Sequence, residues 1–261
     1  MKDICIQGIC YDKKSSFLNG PALAPGVIRD TLHNGASNYY TEAGTNINTE
    51  QVSDLGDYQI SEYFDIEKIS GQNLKSGHLL TLGGDHSITY PIIRAVSNVA
   101  SPLSILHIDA HADLYHEFEG DPYSHACPFA RIMEERLAAR LVQVGIRTLN
   151  PHQMQEADKY DVQILVMTHF GDSRLPVMKG QVYISLDMDA FDPAYAPGVS
   201  HHEPGGLSPR QVIDLIHSIE GEVIGADIVE YNPNRDIHHM TAALAAKMTK
   251  EILGKMIESH Q

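Results

Sequence analysis

The sequence predicts an α/β fold, a mostly parallel sheet with helices packed on both faces. Three observations point there. Short, almost continuously apolar runs alternate with amphipathic helical segments along the chain, which is how strands buried on both faces read. The chain has 261 residues, 43% of them apolar, enough core for one large domain over residues 1–261. No repeat, low-complexity tract or linker divides it.

A first strand is expected at Ile4–Ile9. The polar stretch Ala36–Asp57 breaks the pattern and reads as a long loop or surface excursion. Further strands are expected at Leu79–Leu82, Leu103–Ile108, Leu141–Ile146, Val162–Val166, Val182–Leu186 and Val223–Ile228. Their short, near-continuous apolar runs suit buried strands. Helical patterns fall between them, near Ile88–Val99, Pro128–Ala139, Pro151–Lys159, Pro209–Ile219 and Thr241–Ile257. Ser208 and Pro209 read as N-cap and first helical residue of the fourth of these.

Composition excludes several partners. The formal charge is −15, and no basic stripe exists to meet nucleic-acid phosphates. No stretch approaches the roughly 20 apolar residues of a membrane span. Neither a secretory nor a transit segment is recognisable, so a cytoplasmic protein is expected. Cys5, Cys10 and Cys127 have no metal-ligand spacing.

Three segments carry the chemistry, and each follows an apolar run. They are Gly83-Gly-Asp-His-Ser87, Asp109-Ala-His-Ala-Asp113 and Ser185-Leu-Asp-Met-Asp-Ala-Phe-Asp-Pro193. Side chains two apart on an extended strand share a face. Asp109, His111 and Asp113 should therefore converge, as should Asp187 and Asp189. Ligands of open α/β sheets sit at the carboxyl ends of the strands, where all of these fall. His86, Asp109, His111, Asp113, Asp187 and Asp189 form an oxygen- and nitrogen-donor set without thiolate. That suits Mn²⁺, Fe²⁺, Ni²⁺ or Zn²⁺. Unpaired, such charges would cost several kcal/mol each on burial; a pair of divalent cations removes that cost. Asp85 and Asp192 are expected to orient the ligands, with a turn role before Pro193 equally open for Asp192.

These three motifs resemble the signatures of the ureohydrolase superfamily, the arginases and agmatinases. Pro197-Gly-Val-Ser-His-His-Glu-Pro-Gly-Gly-Leu-Ser208, Phe118-Glu-Gly-Asp-Pro-Tyr-Ser-His-Ala126 and Gly225-Ala-Asp-Ile-Val-Glu-Tyr-Asn-Pro-Asn-Arg-Asp236 are similar to the plant-type arginase branch. The resemblance covers roughly Leu79 to the C-terminus. It implies a three-layer α/β/α sandwich, two Mn²⁺ per subunit and a homo-oligomer, trimer or hexamer. By motif, His86, Asp109, Asp113 and Asp187 would hold one ion. Asp109, His111, Asp187 and Asp189 would hold the other. Asp113 would relay a proton, His125 would shuttle protons, and Glu230 would bind the guanidinium of a small cationic guanidino substrate.

The implied reaction is hydrolysis of L-arginine to L-ornithine and urea. Agmatine and guanidino acids are the alternatives. Many arginases carry an aspartate where Asn150 stands, so Asn150 and His201 are expected at the substrate, with Asp121 or Glu119 as replacement charges. Two other readings stay open, a deacetylase with one metal and an inactive metal-binding paralogue.

Overall fold

The computed structural model describes residues 3–171 and 176–259. Eight strands form one sheet: β1 (Asp3–Cys10), β2 (Val52–Gln59), β3 (Gly77–Leu82), β4 (Leu103–Ile108), β5 (Arg140–Ile146), β6 (Gln163–Val166), β7 (Gln181–Asp187) and β8 (Glu222–Val229). Their spatial order is β2-β1-β3-β8-β7-β4-β5-β6, and every pairing is parallel. The helices are α1 (Ala24–His33), α2 (Asp65–Asn73), α3 (Thr89–Ser97), α4 (Pro128–Glu134), α5 (Pro151–Lys159), α6 (Pro209–His217) and α7 (Met240–Glu258).

Strand alternation produces the three layers. Leu80, Leu106 and Ile108 join a core cluster with residues of α1, α6 and α7. Leu79, Leu103 and Ile105, from the other face of the same strands, join a cluster with residues of α2, α3 and α4. Both faces are thus dry, which is why the central strands lack polar alternation. The Ser208 side chain accepts from Gln211 N–H while the Gln211 side chain accepts from Ser208 N–H, a complete capping box with Pro209 in the first turn.

Four elements differ from expectation. The excursion at residues 36–57 is not loop throughout, because its end enters β2 and pairs with β1 from Ile4↔Val52 onward. As an edge strand exposed over most of its length, β2 tolerates Asp54, Gly56 and Asp57, residues depleted in buried strands. Arg29 of α1 ion-pairs with both aspartates. Helices α1 and α2 lie outside the segments that the apolar pattern predicts as helix. Finally, α4 stops at Glu134 rather than Ala139, since Arg136 takes a left-handed φ of 57°. Among the described residues no helix is long and apolar enough to cross a membrane.

Candidate metal centre and active site

Four neighbouring central strands, β3, β8, β7 and β4, deliver the site. His86 lies in the turn after β3, Glu230 follows β8, Asp187 ends β7, and Asp109 follows β4. The turn after β3 needs its glycine: a Cβ on Gly84 would lie 1.7 Å from the Tyr11 carbonyl oxygen. Gly84 in turn accepts the Glu230 N–H at 2.9 Å. Glu230 and Asp113 both hold left-handed backbone, φ 63° and 48°, the kind of local strain that concentrates at functional sites.

The expected convergence is present, but not by strand pleating. Asp109 to Asp113 lie beyond β4 in irregular chain, and Asp189 lies in a 3₁₀ turn capped by Asp187. Asp187 Oδ1 accepts Asp189 N–H at 2.7 Å, and Asp109 Oδ1 accepts His111 N–H at 2.6 Å. These short loops of carboxylate on backbone aim the remaining oxygens inward.

Two clusters share Asp109. His86 Nδ1 lies 3.1 Å from Asp109 Oδ2, 3.2 Å from Asp113 Oδ2 and 3.1 Å from Asp187 Oδ2. His111 Nδ1 lies 3.5 Å from Asp109 Oδ1 and 3.0 Å from Asp189 Oδ2. The His86 ring is held from behind. Its Nε2–H meets Ser185 Oγ at 3.0 Å, and Ser185 donates to Asp227 Oδ1 at 2.7 Å. Nδ1 is buried with no hydrogen-bond partner. Burial would lower the imidazole, but the three carboxylates facing Nδ1 override it and hold the ring protonated well above its ordinary value. A divalent cation in place of that proton suits the arrangement, and the donor set fits a hard or borderline ion.

Electrostatics agree. Burial, with Asp189 and Asp109 close by, pushes the Asp187 carboxyl well above the usual range. Burial pushes Asp189 up to about 6. Burial would raise Asp109 too, but His107 overrides it and holds that carboxyl well below the usual range. His107 Nε2 sits 2.7 Å from Asp109 Oδ2, while Gln143 Nε2 meets its Nδ1 at 2.9 Å. The only sign of His107 in the sequence is an imidazole inside the buried run Leu103–Ile108.

A pocket of about 200 Å³ opens onto these ligands, and His125, Glu230 and His201 line it. Glu230 Oε1 accepts His86 N–H at 2.9 Å and faces His125 Nδ1 at 2.9 Å. Burial opposes ionisation of Glu230, but His125 outweighs it and keeps the carboxyl below its usual range. The other edge of His125 receives Ser16, with N–H at 3.2 Å and Oγ at 2.8 Å from Nε2. Burial lowers His125, Glu230 more than reverses that, and the imidazole is pushed up to about 9. Burial keeps His201 below its ordinary value; its ring stands 5.5 Å from that of His125 and 5.9 Å from that of His111.

Asn150 is not brought to the pocket. Its Oδ1 caps α5 through Gln153 N–H at 3.0 Å and its Nδ2 donates to the Tyr115 hydroxyl at 2.5 Å. Asp121 pairs with Lys14 at 2.5 Å and Glu119 is exposed, so neither lines the pocket. Asp85 is buried and accepts Lys14 N–H at 3.0 Å, which anchors the loop that carries Ser16. Asp192 takes the turn role: it accepts from the backbone N–H groups of Ala194, Gly205 and Gly206.

Comparison with known proteins fits this site. The Arginase family model matches residues 2–254. The chain belongs to the arginase family. It is 44% identical to "Arginase 1, mitochondrial" of Oryza sativa subsp. indica over 97% of this chain and 81% of that one. It is also 44% identical to "N(1)-aminopropylagmatine ureohydrolase" of Thermus thermophilus over 66% of this chain and 61% of that one. The solved arginase from Medicago truncatula superposes with a TM-score of 0.93 at 38% identity, covering 98% of this chain and 87% of the other. The protein is thus an arginase-family hydrolase.

Proposed function

We propose that the protein hydrolyses L-arginine to L-ornithine and urea, with two Mn²⁺ per subunit held by the six ligands above. The observation that carries this reading is the opening of one pocket onto both ligand clusters, the Glu230 carboxylate and His125. Identity to a relative named arginase over nearly the whole chain supports arginine. When bound, the ions supply Lewis acidity and a nucleophile near neutral pH.

The residues of the chain do the rest. A guanidinium is planar and resonance-stabilised, so its carbon resists attack. Glu230 offers a carboxylate to two N–H groups in the bidentate geometry that guanidinium prefers, and its hydrogen bond from His86 N–H fixes it beside the ligand cluster. Asp113 sits at the ligand cluster and relays the proton of the attacking water. His125, at the pocket wall, passes a proton to the leaving amine nitrogen and recovers one from solvent. The three cysteines are free, in keeping with a reducing, cytoplasmic setting. One domain over residues 1–261, assembled as a trimer or hexamer, completes the proposal.

The test is urea release from arginine, agmatine and guanidino acids by Mn²⁺-loaded protein, with and without chelator. Urea from arginine that vanishes on chelation is expected; no urea from any guanidino compound would remove the proposal.

A further inference from the structure

The segment Ser200–Gly206 places at the pocket one carboxylate that lies outside the proposed ligand set. Glu203 lines the pocket, with its side chain 39% exposed. Its Oε1 stands 3.8 Å from His111 Nε2, a loose ion pair when that imidazole is charged but beyond hydrogen-bond reach. No side-chain hydrogen bond is made to it among the described residues. Its backbone, by contrast, is tightly held. Arg147 donates to the Glu203 carbonyl from Nε at 2.9 Å and from Nη2 at 2.7 Å. The same guanidinium reaches the Asp189 carbonyl at 2.7 Å and the Ala190 carbonyl at 3.3 Å. Arg147 thus ties Glu203 to the turn that carries a metal ligand. The Glu203 backbone is fixed relative to the reaction centre, while its carboxylate makes no hydrogen bond and keeps only the long contact to His111.

The rest of the lining sets the sign of the pocket. Thr148, Gln153, Tyr115 and Ser16 offer neutral polar groups, and no lysine or arginine is among the described lining residues. A substrate whose far end is an ammonium finds an opposite charge there; one ending in a carboxylate alone meets Glu203 as a like charge. We infer that Glu203 is a specificity-determining residue that receives the distal ammonium of the guanidino substrate and selects against guanidino acids. The inference rests on the hydrolase reading above and deepens it. It assigns to Glu203 the charge that Asn150 lacks, and it groups arginine, through its α-ammonium, with agmatine and against 4-guanidinobutyrate.

The Mn²⁺-loaded full chain tests this with kcat/KM for agmatine, arginine and 4-guanidinobutyrate in wild type, Glu203→Gln and Glu203→Asp. The wild type should favour the two ammonium-ended compounds. Glu203→Gln should lower kcat/KM for agmatine about threefold to fivefold, mainly through KM, the scale of one half-exposed charge pair. It should narrow the gap to 4-guanidinobutyrate by at least that factor, and Glu203→Asp should restore part of it. Manganese content should match wild type in both variants. An unchanged agmatine to guanidinobutyrate ratio overturns the inference, as does a wild type that prefers the acid. A uniform loss accompanied by lost manganese also overturns it, since Glu203 would then act by orienting His111. No urea from any compound removes the hydrolase reading itself, and the inference with it.

Discussion

Ser16 holds one edge of the His125 ring while Glu230 holds the other, at 2.8 Å from Ser16 Oγ to Nε2 and 2.9 Å from Glu230 Oε1 to Nδ1. The two neighbours ask for different protonation states. An N–H donated from Ser16 to Nε2 needs a lone pair there, which favours neutral imidazole with Nδ1–H toward Glu230. The Glu230 carboxylate favours the imidazolium. A ring poised between them suits a proton shuttle.

The pair has a pH signature in the metal-free protein. The folded value of His125, about 9, lies above its ordinary 6.5. Its contribution to stability is therefore complete below about 6.5 and is lost as pH rises toward 9. Thermal unfolding in chelator should show Tm falling across that window, and His125→Asn should flatten the fall. A slope that survives the substitution unchanged would assign it to another group.

His125→Asn should leave the metal ligands intact, since the ring touches Glu230 and Ser16 rather than the aspartates. Turnover should fall about 10²-fold, the usual scale for one proton-transfer group. Steady-state kinetics beside elemental analysis checks this. Loss of manganese in the variant would contradict a proton role.

Cation dependence should itself depend on pH. Ionised Asp187 and Asp189 crowd Asp109, and both carboxyls are raised, Asp189 to about 6. Raised carboxyls cost stability as pH climbs from their ordinary range through the folded value. A divalent ion removes that cost, and its binding displaces the protons. The Tm gap between Mn²⁺-loaded and chelated protein should widen from about pH 4 to pH 7. At free ion 100 times Kd the stabilisation should reach about 2.7 kcal/mol. A gap independent of pH would mean that the ion sits elsewhere.

How much of this was legible in sequence follows from what each residue had to do. The cluster of carboxylates and imidazoles proposed to hold the ions was legible because such chemistry forces unusual types into short motifs at strand ends. The sheet was legible from its dry strands. β2 was not, because an edge strand keeps a solvated face and reads as loop. Ser16 was hidden because its role arises from a contact with His125, 109 positions away. Glu203 stood inside a recognised motif, but only the fold reveals that its carboxylate faces the pocket without a hydrogen bond. Asn150 misled in the other direction, its carboxamide being engaged by the helix it caps.

His107 offers the sharpest test of what lies behind the metal ligands. It is fully buried, and its Nε2–H to Asp109 Oδ2 at 2.7 Å leaves Nδ1 to accept from Gln143. Gln143 is itself pinned by the Ala112 carbonyl at 2.6 Å. This chain of contacts fixes the carboxylate that both ligand clusters share. Partners of metal ligands typically carry 10- to 100-fold in affinity, so His107→Ala should weaken Mn²⁺ binding by about that much. The ring also stacks on Phe129 at 3.9 Å, so the variant loses packing as well. His107→Gln, which keeps an N–H donor and more of the volume, should recover much of the affinity. Calorimetric titration of metal-free protein with Mn²⁺ reads both variants. Equal affinities in wild type and His107→Ala would show that Asp109 needs no such support.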